Sequence, residues 1–127
     1  MVNNIFSIII STIKKSFSFS GRASRKEFVI FNLFYFITIF IVYSTEEIYA
    51  ISNDIILIVF LSLFYFCVLI FTIPPLFSLI VRRLHDLNAS AWWLLITFIP
   101  FGALLFFALP FKKGSSGTNK YGEPPSY

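Results

Sequence analysis

From Ile55 to Val81 the chain reads IILIVFLSLFYFCVLIFTIPPLFSLIV, without one charged side chain. About 18 or more residues of this kind read as a transmembrane helix, because a helix satisfies its own backbone polar groups where lipid offers no partners. At roughly 1.5 Å of rise per residue the run would reach roughly 40 Å, longer than the roughly 30 Å hydrocarbon core. Pro74 and Pro75 fall inside it. Proline removes a backbone donor and crowds the preceding turn. The expected outcome is a bend, with Leu76 to Val81 as a separate final turn at the membrane interface.

Arg82-Arg83-Leu84-His85-Asp86-Leu87-Asn88-Ala89-Ser90 follows as a polar connector. A further uncharged run begins at Leu87, and Ser90 is suited to cap a third membrane segment over residues 91–111. Trp92 and Trp93 stand where aromatic belts form, and Pro100 with Gly102 predicts a kink or break. Residues 112–127 carry Gly114, Gly117, Gly122, Pro124 and Pro125 and read as an irregular polar tail.

On the other side of the central run, residues 44–54 read as a connector holding Glu46, Glu47 and Asp54 but no lysine or arginine. Phe28 to Tyr43, extended by Ser44 and Thr45, forms the first membrane segment. Asn32 inside it should face another helix, where its amide finds a partner. Ser24 and Glu27 have the spacing of a capping box just before this run. In residues 2–18, Val2, Ile5, Phe6, Ile9, Ile13 and Phe17 recur at helical spacing, opposite Asn4, Ser7, Ser11, Lys14, Lys15 and Ser18. That pattern suits a helix lying in the membrane interface, and equally one packed on the rest of the protein.

The fold class expected is therefore an all-α integral membrane protein. It has about three transmembrane helices (28–45, 55–81 and 91–111), an N-terminal amphipathic interfacial helix with a basic motif (1–27), and a single membrane domain throughout. Composition agrees. Hydrophobic residues make up 57% and charged residues 13% of 127 residues, Phe occurs 18 times, and mean hydropathy is +0.84. A soluble domain carries about 25% charged residues. The net charge of +4 does not indicate nucleic acid, because the basic residues cluster at the ends of apolar runs. The N-terminus lacks the basic start and small-residue site of a cleaved signal peptide, so the first long run serves as an uncleaved membrane signal.

If all three segments cross, Lys14, Lys15, Arg22, Arg25, Lys26, Arg82 and Arg83 share one side, and the positive-inside rule puts that side and the N-terminus in the cytoplasm. The tail, with Lys112, Lys113 and Lys120, would then lie outside. Re-entry at Pro100 is the alternative, and it would return the tail to the cytoplasm.

Two motifs carry a family resemblance. One is Phe19-Ser20-Gly21-Arg22-Ala23-Ser24-Arg25-Lys26-Glu27-Phe28. The other is Arg82-Arg83-Leu84-His85-Asp86, then Ser90-Ala91-Trp92-Trp93 and Ile99-Pro100. With Gly114, Gly117, Asn119, Tyr121-Gly122 and Pro124 in the tail, the chain from about residue 12 resembles the small bacterial inner-membrane family known as domain of unknown function 805. Val29 stands where that family often has Trp or Tyr, and Asn88-Ala89-Ser90-Ala91 stands where it often has a glycine before the tryptophans. The resemblance implies a bacterial cytoplasmic-membrane protein and carries no activity with it.

Catalytic chemistry finds little footing. His85 is the only histidine and Cys67 the only cysteine, which argues against a metal site and an internal disulfide. Neighbouring His85 and Asp86 point in different directions on a helix. No cofactor is expected, and the expectation is a non-enzyme. The polar residues of interest are Arg22, Arg25, Lys26, Arg82, Arg83, His85 and Asp86, with Glu27 among them. One reading is structural: the arginines set topology and pair with Asp86, Glu27 and helix-end carbonyls. The other is a cytoplasmic-face pocket for an anionic lipid headgroup or a partner's acidic segment, which a guanidinium holds bidentately. The partners expected are the bilayer, anionic lipid, and a second copy or another membrane protein. Two rival classes stay open. One is an oligomeric pore or transporter lined by Ser62, Thr72, Ser78 or Thr97. The other is a lipid-acting enzyme dependent on His85 or Asp86.

Overall fold

The structure is a computed structural model that describes residues 2–51, 54–102 and 104–125. Among the described residues four α-helices and one 3-10 helix occur in the order α1 (Val2–Lys14), α2 (Arg25–Ile51), α3 (Ile55–Asp86), the 3-10 helix (Ala91–Phe98) and α4 (Leu104–Ala108). No strand occurs among the described residues beyond one isolated bridge, Asn119 to Gly122.

Helices α2 and α3 form an antiparallel pair. The start of α2 lies beside the end of α3, where the Ala23 N–H donates to the Arg82 carbonyl at 3.0 Å. Among the described residues these are the two helices long and apolar enough to cross a membrane.

Helix α2 begins with the expected cap: the Glu27 N–H donates to Ser24 Oγ at 3.0 Å. The reciprocal half of the box is diverted, because the Glu27 carboxylate accepts from Arg82 Nη1 at 2.9 Å and Thr12 Oγ1 at 3.2 Å. The helix then runs past Thr45 to Ile51. The expected connector over 44–54 is thus helical up to Ile51. Glu46 and Glu47 are good helix formers and nothing before Ser52 breaks the helix. The side chains of residues 46–51, including Ile48, Tyr49 and Ile51, lie outside the described residues. Asp54 starts α3, its side chain accepting from the N–H groups of Ile56 at 2.9 Å and Leu57 at 3.3 Å.

Helix α3 runs for 32 residues, passes through Pro74 and Pro75, and continues to Asp86. The separate turn expected over 76–81 is not present, and Arg82 to Asp86 are helical where a connector was expected. These residues hold the helix because the last turn is stabilised by partners from elsewhere in the chain, described below. Asn88 then takes a left-handed conformation (φ +59) just past the Leu87 cap. Asparagine tolerates this conformation well, so the turn forms without a glycine.

The third apolar run departs furthest from expectation. Ser90 does cap a helix, accepting from the Trp92 N–H, but the helix is 3-10 and ends at Phe98. Pro100 and Phe101 (φ +66) then form a tight turn closed by the Gly102 N–H donating to the Ile99 carbonyl at 2.8 Å. A Cβ on Gly102 would stand 1.6 Å from the Ile96 carbonyl oxygen, so only glycine lets the two arms approach. Helix α4 returns the chain to Leu109, which is buried in the core with Leu84 and Phe28. Residues 91–111 therefore leave and rejoin the same end of the α2–α3 pair, as a hairpin and not as a third continuous helix.

Helix α1 stops at Lys14, short of the expected residue 18. It packs on α2 and α3 through Ile8 and Thr12, which are buried, while Ile5, Phe6, Ile10 and Ile13 face outward. Ile8, which breaks the regular apolar stripe in the sequence, is the residue that docks the helix.

Candidate functional site

The buried interior lies at one end of the helix pair, and its largest fully buried side chains are Arg82 and Arg83. Ala23, Leu79, Ile80, Leu84 and Leu109 form a buried apolar core with Phe28 and Phe31. Phe106 from α4 closes it, its ring 5.8 Å from that of Phe28.

Asp86, on the last turn of α3, is shared by two arginines. Arg22 Nε and Nη2 donate to Oδ1 at 2.9 and 2.8 Å, and Arg83 Nη1 donates to Oδ2. The remaining donors go to backbone carbonyls. Arg22 Nη1 reaches the Gly117 carbonyl at 2.6 Å and that of Gly122 at 3.3 Å, and its Nη2 reaches Ser115. Arg83 Nε reaches Leu109 at 3.1 Å, Nη1 also meets Ala23 at 3.4 Å, and Nη2 reaches Lys112. One carboxylate and two guanidinium groups thus tie together the N-terminal motif, the end of α3, the base of the hairpin and the tail.

The tail approaches closely because of Gly114. A Cβ there would lie 2.0 Å from Asp86 Oδ2, so any larger residue would push the tail off the ion pair. Ser115 then caps the end of α3: its N–H and hydroxyl both donate to the Asp86 carbonyl, at 2.9 and 3.0 Å. Asn119 Nδ2 donates to the His85 carbonyl at 2.9 Å and Ala23 to that of Arg82. Leu87 and Ala89 serve the carbonyls of Arg83 and Leu84. A helix end leaves its last carbonyls without intrahelical donors. Here each from Arg82 to Asp86 has one, which is why the helix persists through a charged sequence.

A second pair lies deeper. Arg82 Nη1 meets Glu27 Oε1 at 2.9 Å and Nε meets Ser78 Oγ at 3.4 Å, while Arg82 Nη2 has no hydrogen-bond partner among the described residues. Ser78 Oγ in turn lies 2.7 Å from the carbonyls of both Lys15 and Ser18, fixing the end of α1 on α3.

A family described as protein of unknown function, DUF805, matches residues 16–123. The chain belongs to this family. It is 38% identical over 121 residues to inner membrane protein YhaI of Escherichia coli strain K12, covering 93% of this chain and 94% of that one. It is 30% identical over 120 residues to inner membrane protein YhaH of the same strain, covering 91% and 93%. No solved structure matches. The span shared with the DUF805 family runs from just before Arg22 to just past Gly122, so every side chain of the ion-pair assembly except Thr12 falls within it.

Of the residues singled out in the sequence, Arg22, Arg82, Arg83, His85 and Asp86 are buried and brought together, while Arg25 and Lys26 are exposed and enter no ion pair among the described residues. His85 faces away from Asp86: Nδ1 lies 3.3 Å from the Gly21 carbonyl, and the ring stacks on Tyr121 at 3.8 Å with planes 6° apart. Lys120 Nζ lies 4.9 Å from the centre of the Tyr121 ring. Sequence reasoning passed over Ser115 and Thr12, and named Gly114 and Asn119 only as part of the tail motif and not as parts of the site. Three of these lie in a tail that reads as irregular polar chain, where the clustering of Gly114, Ser115, Gly117 and Asn119 is the signal that could have pointed to close backbone approach. Among the described residues no cluster of metal-ligating side chains occurs.

Proposed function

We propose that this protein is a non-enzymatic structural or binding protein that crosses the bacterial inner membrane twice, with its polar cap, and both the N-terminal motif and the tail, on the cytoplasmic side. Charge carries this reading. The chain has ten lysines and arginines, and all ten belong to the cap: Lys14, Lys15, Arg22, Arg25, Lys26, Arg82, Arg83, Lys112, Lys113 and Lys120. The opposite end has Glu46, Glu47 and Asp54 and no basic residue. Positive residues stay on the cytoplasmic side during insertion, so the asymmetry is complete once the tail sits beside Arg22. A hairpin over 91–111 that dips into one leaflet, with Phe98 and Phe101 exposed at its tip, removes the conflict of tail lysines outside the cell. The outward Ile5, Phe6, Ile10 and Ile13 of α1 suit the same interface.

A structural role for the buried arginines is supported by where their donors go: to Asp86, Glu27, Ser78 and carbonyls of the chain itself, with Arg82 Nη2 alone left without a partner among the described residues. Catalysis at His85 or Asp86 is disfavoured, since one is stacked and the other is shared by two guanidinium groups. A pore is likewise disfavoured in a single copy, because Ser62, Thr72 and Thr97 donate to Ile58, Val68 and Leu94 within their own helices, and Ser78 is buried against α1. Any anionic ligand must therefore meet the exposed cations, Arg25 and Lys26 included.

The test is a pair of fusions to a reporter active only in the cytoplasm. Fusions at residue 1 and at residue 127 should both give full signal, and an insertion between residues 52 and 54 should give none. A silent C-terminal fusion would restore three spans and overturn the reading.

A further inference from the structure

A groove of about 310 Å³ separates the end of α1 from the middle of α3. Ile70, Phe71 and Pro74 form its α3 wall, and Ile13, Lys14 and Phe17 the other. It is apolar along its length with one cation, Lys14, which is exposed and in no ion pair among the described residues. The walls are held in register by Ser78, one helical turn above Pro74, through its bonds to the Lys15 and Ser18 carbonyls. Ser16 also borders the groove, but its hydroxyl donates to the Ile13 carbonyl. The groove between α2 and the hairpin, lined by Phe28, Leu33 and Phe106 among others, contains no cation and offers nothing to a headgroup.

We propose that the groove between α1 and α3 binds one anionic phospholipid, its phosphate held by Lys14 and an acyl chain laid along Ile70, Phe71 and Pro74. A mostly apolar groove with a single ammonium group on its lining matches an amphiphile with one negative charge. Lysine serves phosphate as a point charge, and its stem lies along apolar surface while the ammonium stays at the polar level. The buried arginines do not reach this phosphate, because Arg82 and Arg83 are fully buried away from the groove lining, and all their donors except Arg82 Nη2 meet protein groups. The site rests on the cytoplasmic placement of the cap, where the leaflet is anionic. It is tested on purified protein, however, where orientation plays no part, so the two readings fail separately.

The experiment is native mass spectrometry of the full chain in detergent, titrated with phosphatidylglycerol or with phosphatidylcholine. Wild type should retain one phosphatidylglycerol in preference to phosphatidylcholine. Lys14→Gln should weaken phosphatidylglycerol binding about fivefold, the weight of one lysine at an anionic surface, and leave phosphatidylcholine unchanged. Phe71→Ala should weaken both lipids by the same factor. Lys120→Gln, an exposed cation in the tail, should change neither. The proposal is overturned if Lys14→Gln loses no more than Lys120→Gln, if Phe71→Ala has no effect, or if inorganic phosphate displaces the lipid. Thermal unfolding of each variant at the wild-type temperature establishes that a loss belongs to the groove.

Discussion

The two halves of α3 invert each other. From Ile55 to Ile73 the helix is almost wholly apolar, and Thr72 is its one buried residue. From Pro75 to Asp86 it carries two arginines, a histidine and an aspartate, and most of its residues are buried. In a water-soluble helix, charge marks the outside. On the two-span reading proposed above, lipid takes the apolar half, and protein encloses the charged one. Ions leaving water in a low-dielectric setting need close counter-ions and filled hydrogen bonds, so α1, the basic motif, the hairpin base and the tail are all recruited around one helix end.

The sharpest way to break this contrast is at Asp86. Asp86→Asn leaves Arg22 and Arg83 buried beside each other without their shared anion, and removing one partner of such a pair costs about 3–5 kcal/mol. The tail should detach with it, since Arg22 and Ser115 hold it there. The expected outcome is a large fall in unfolding temperature together with rapid tryptic cleavage at Lys112 and Lys113, sites that stay slow in wild type. Unchanged cleavage would mean that the tail is held by something other than the ion pair.

Gly114→Ala should act on the same end with a smaller effect. The added methyl falls on Asp86 Oδ2, so the tail must shift while the α2–α3 pair keeps its own contacts. Overpacking of this kind costs about 1–3 kcal/mol. Hydrogen exchange should rise at Ser115, whose N–H bonds to the Asp86 carbonyl, and stay unchanged at the Ala23 N–H. Equal loosening at both positions would show that the cap opens as one unit.

Much of this end was legible in the sequence, and the limits have physical causes. Ser24 and Ser90 are caps because a hydroxyl before an apolar run has one economical use. The inner-membrane class follows from uncharged runs. Gathering the basic motifs on one face follows from the antiparallel pairing of α2 and α3. The pairing of the arginines with Asp86, Glu27 and carbonyls was legible as one of two readings, but the depth of their burial was not, because charge outside a span normally meets water. The length of α3 escaped for the same reason, since the carbonyls at its end are served by Ser115 and Asn119, some thirty residues away in the tail. The acceptors that complete the arginines, at Leu109, Lys112, Ser115, Gly117 and Gly122, are backbone carbonyls, and every residue type has one. In the third run hydropathy counts apolar residues and not continuity: the break expected at Pro100 and Gly102 is present, and it favours the alternative of re-entry over the single crossing helix.

The smallest effect is expected in the other half of α3. Phe60 is 66% exposed, and on the proposed two-span reading that exposure is to acyl chains. Phe60→Ala removes a whole phenyl ring, yet lipid fills the space, so no cavity forms and no polar group loses a partner. The change should stay within about 0.5 kcal/mol, the range of substitutions away from packed or bonded features. Thermal unfolding in lipid nanodiscs measures it beside Gly114→Ala. If the inversion is real, one methyl added next to Asp86 outweighs an aromatic ring taken from the apolar half. A larger loss at Phe60 would place that half against protein, most simply a second copy of the chain, and the lipid-facing reading of Ile55 to Ile73 would fall.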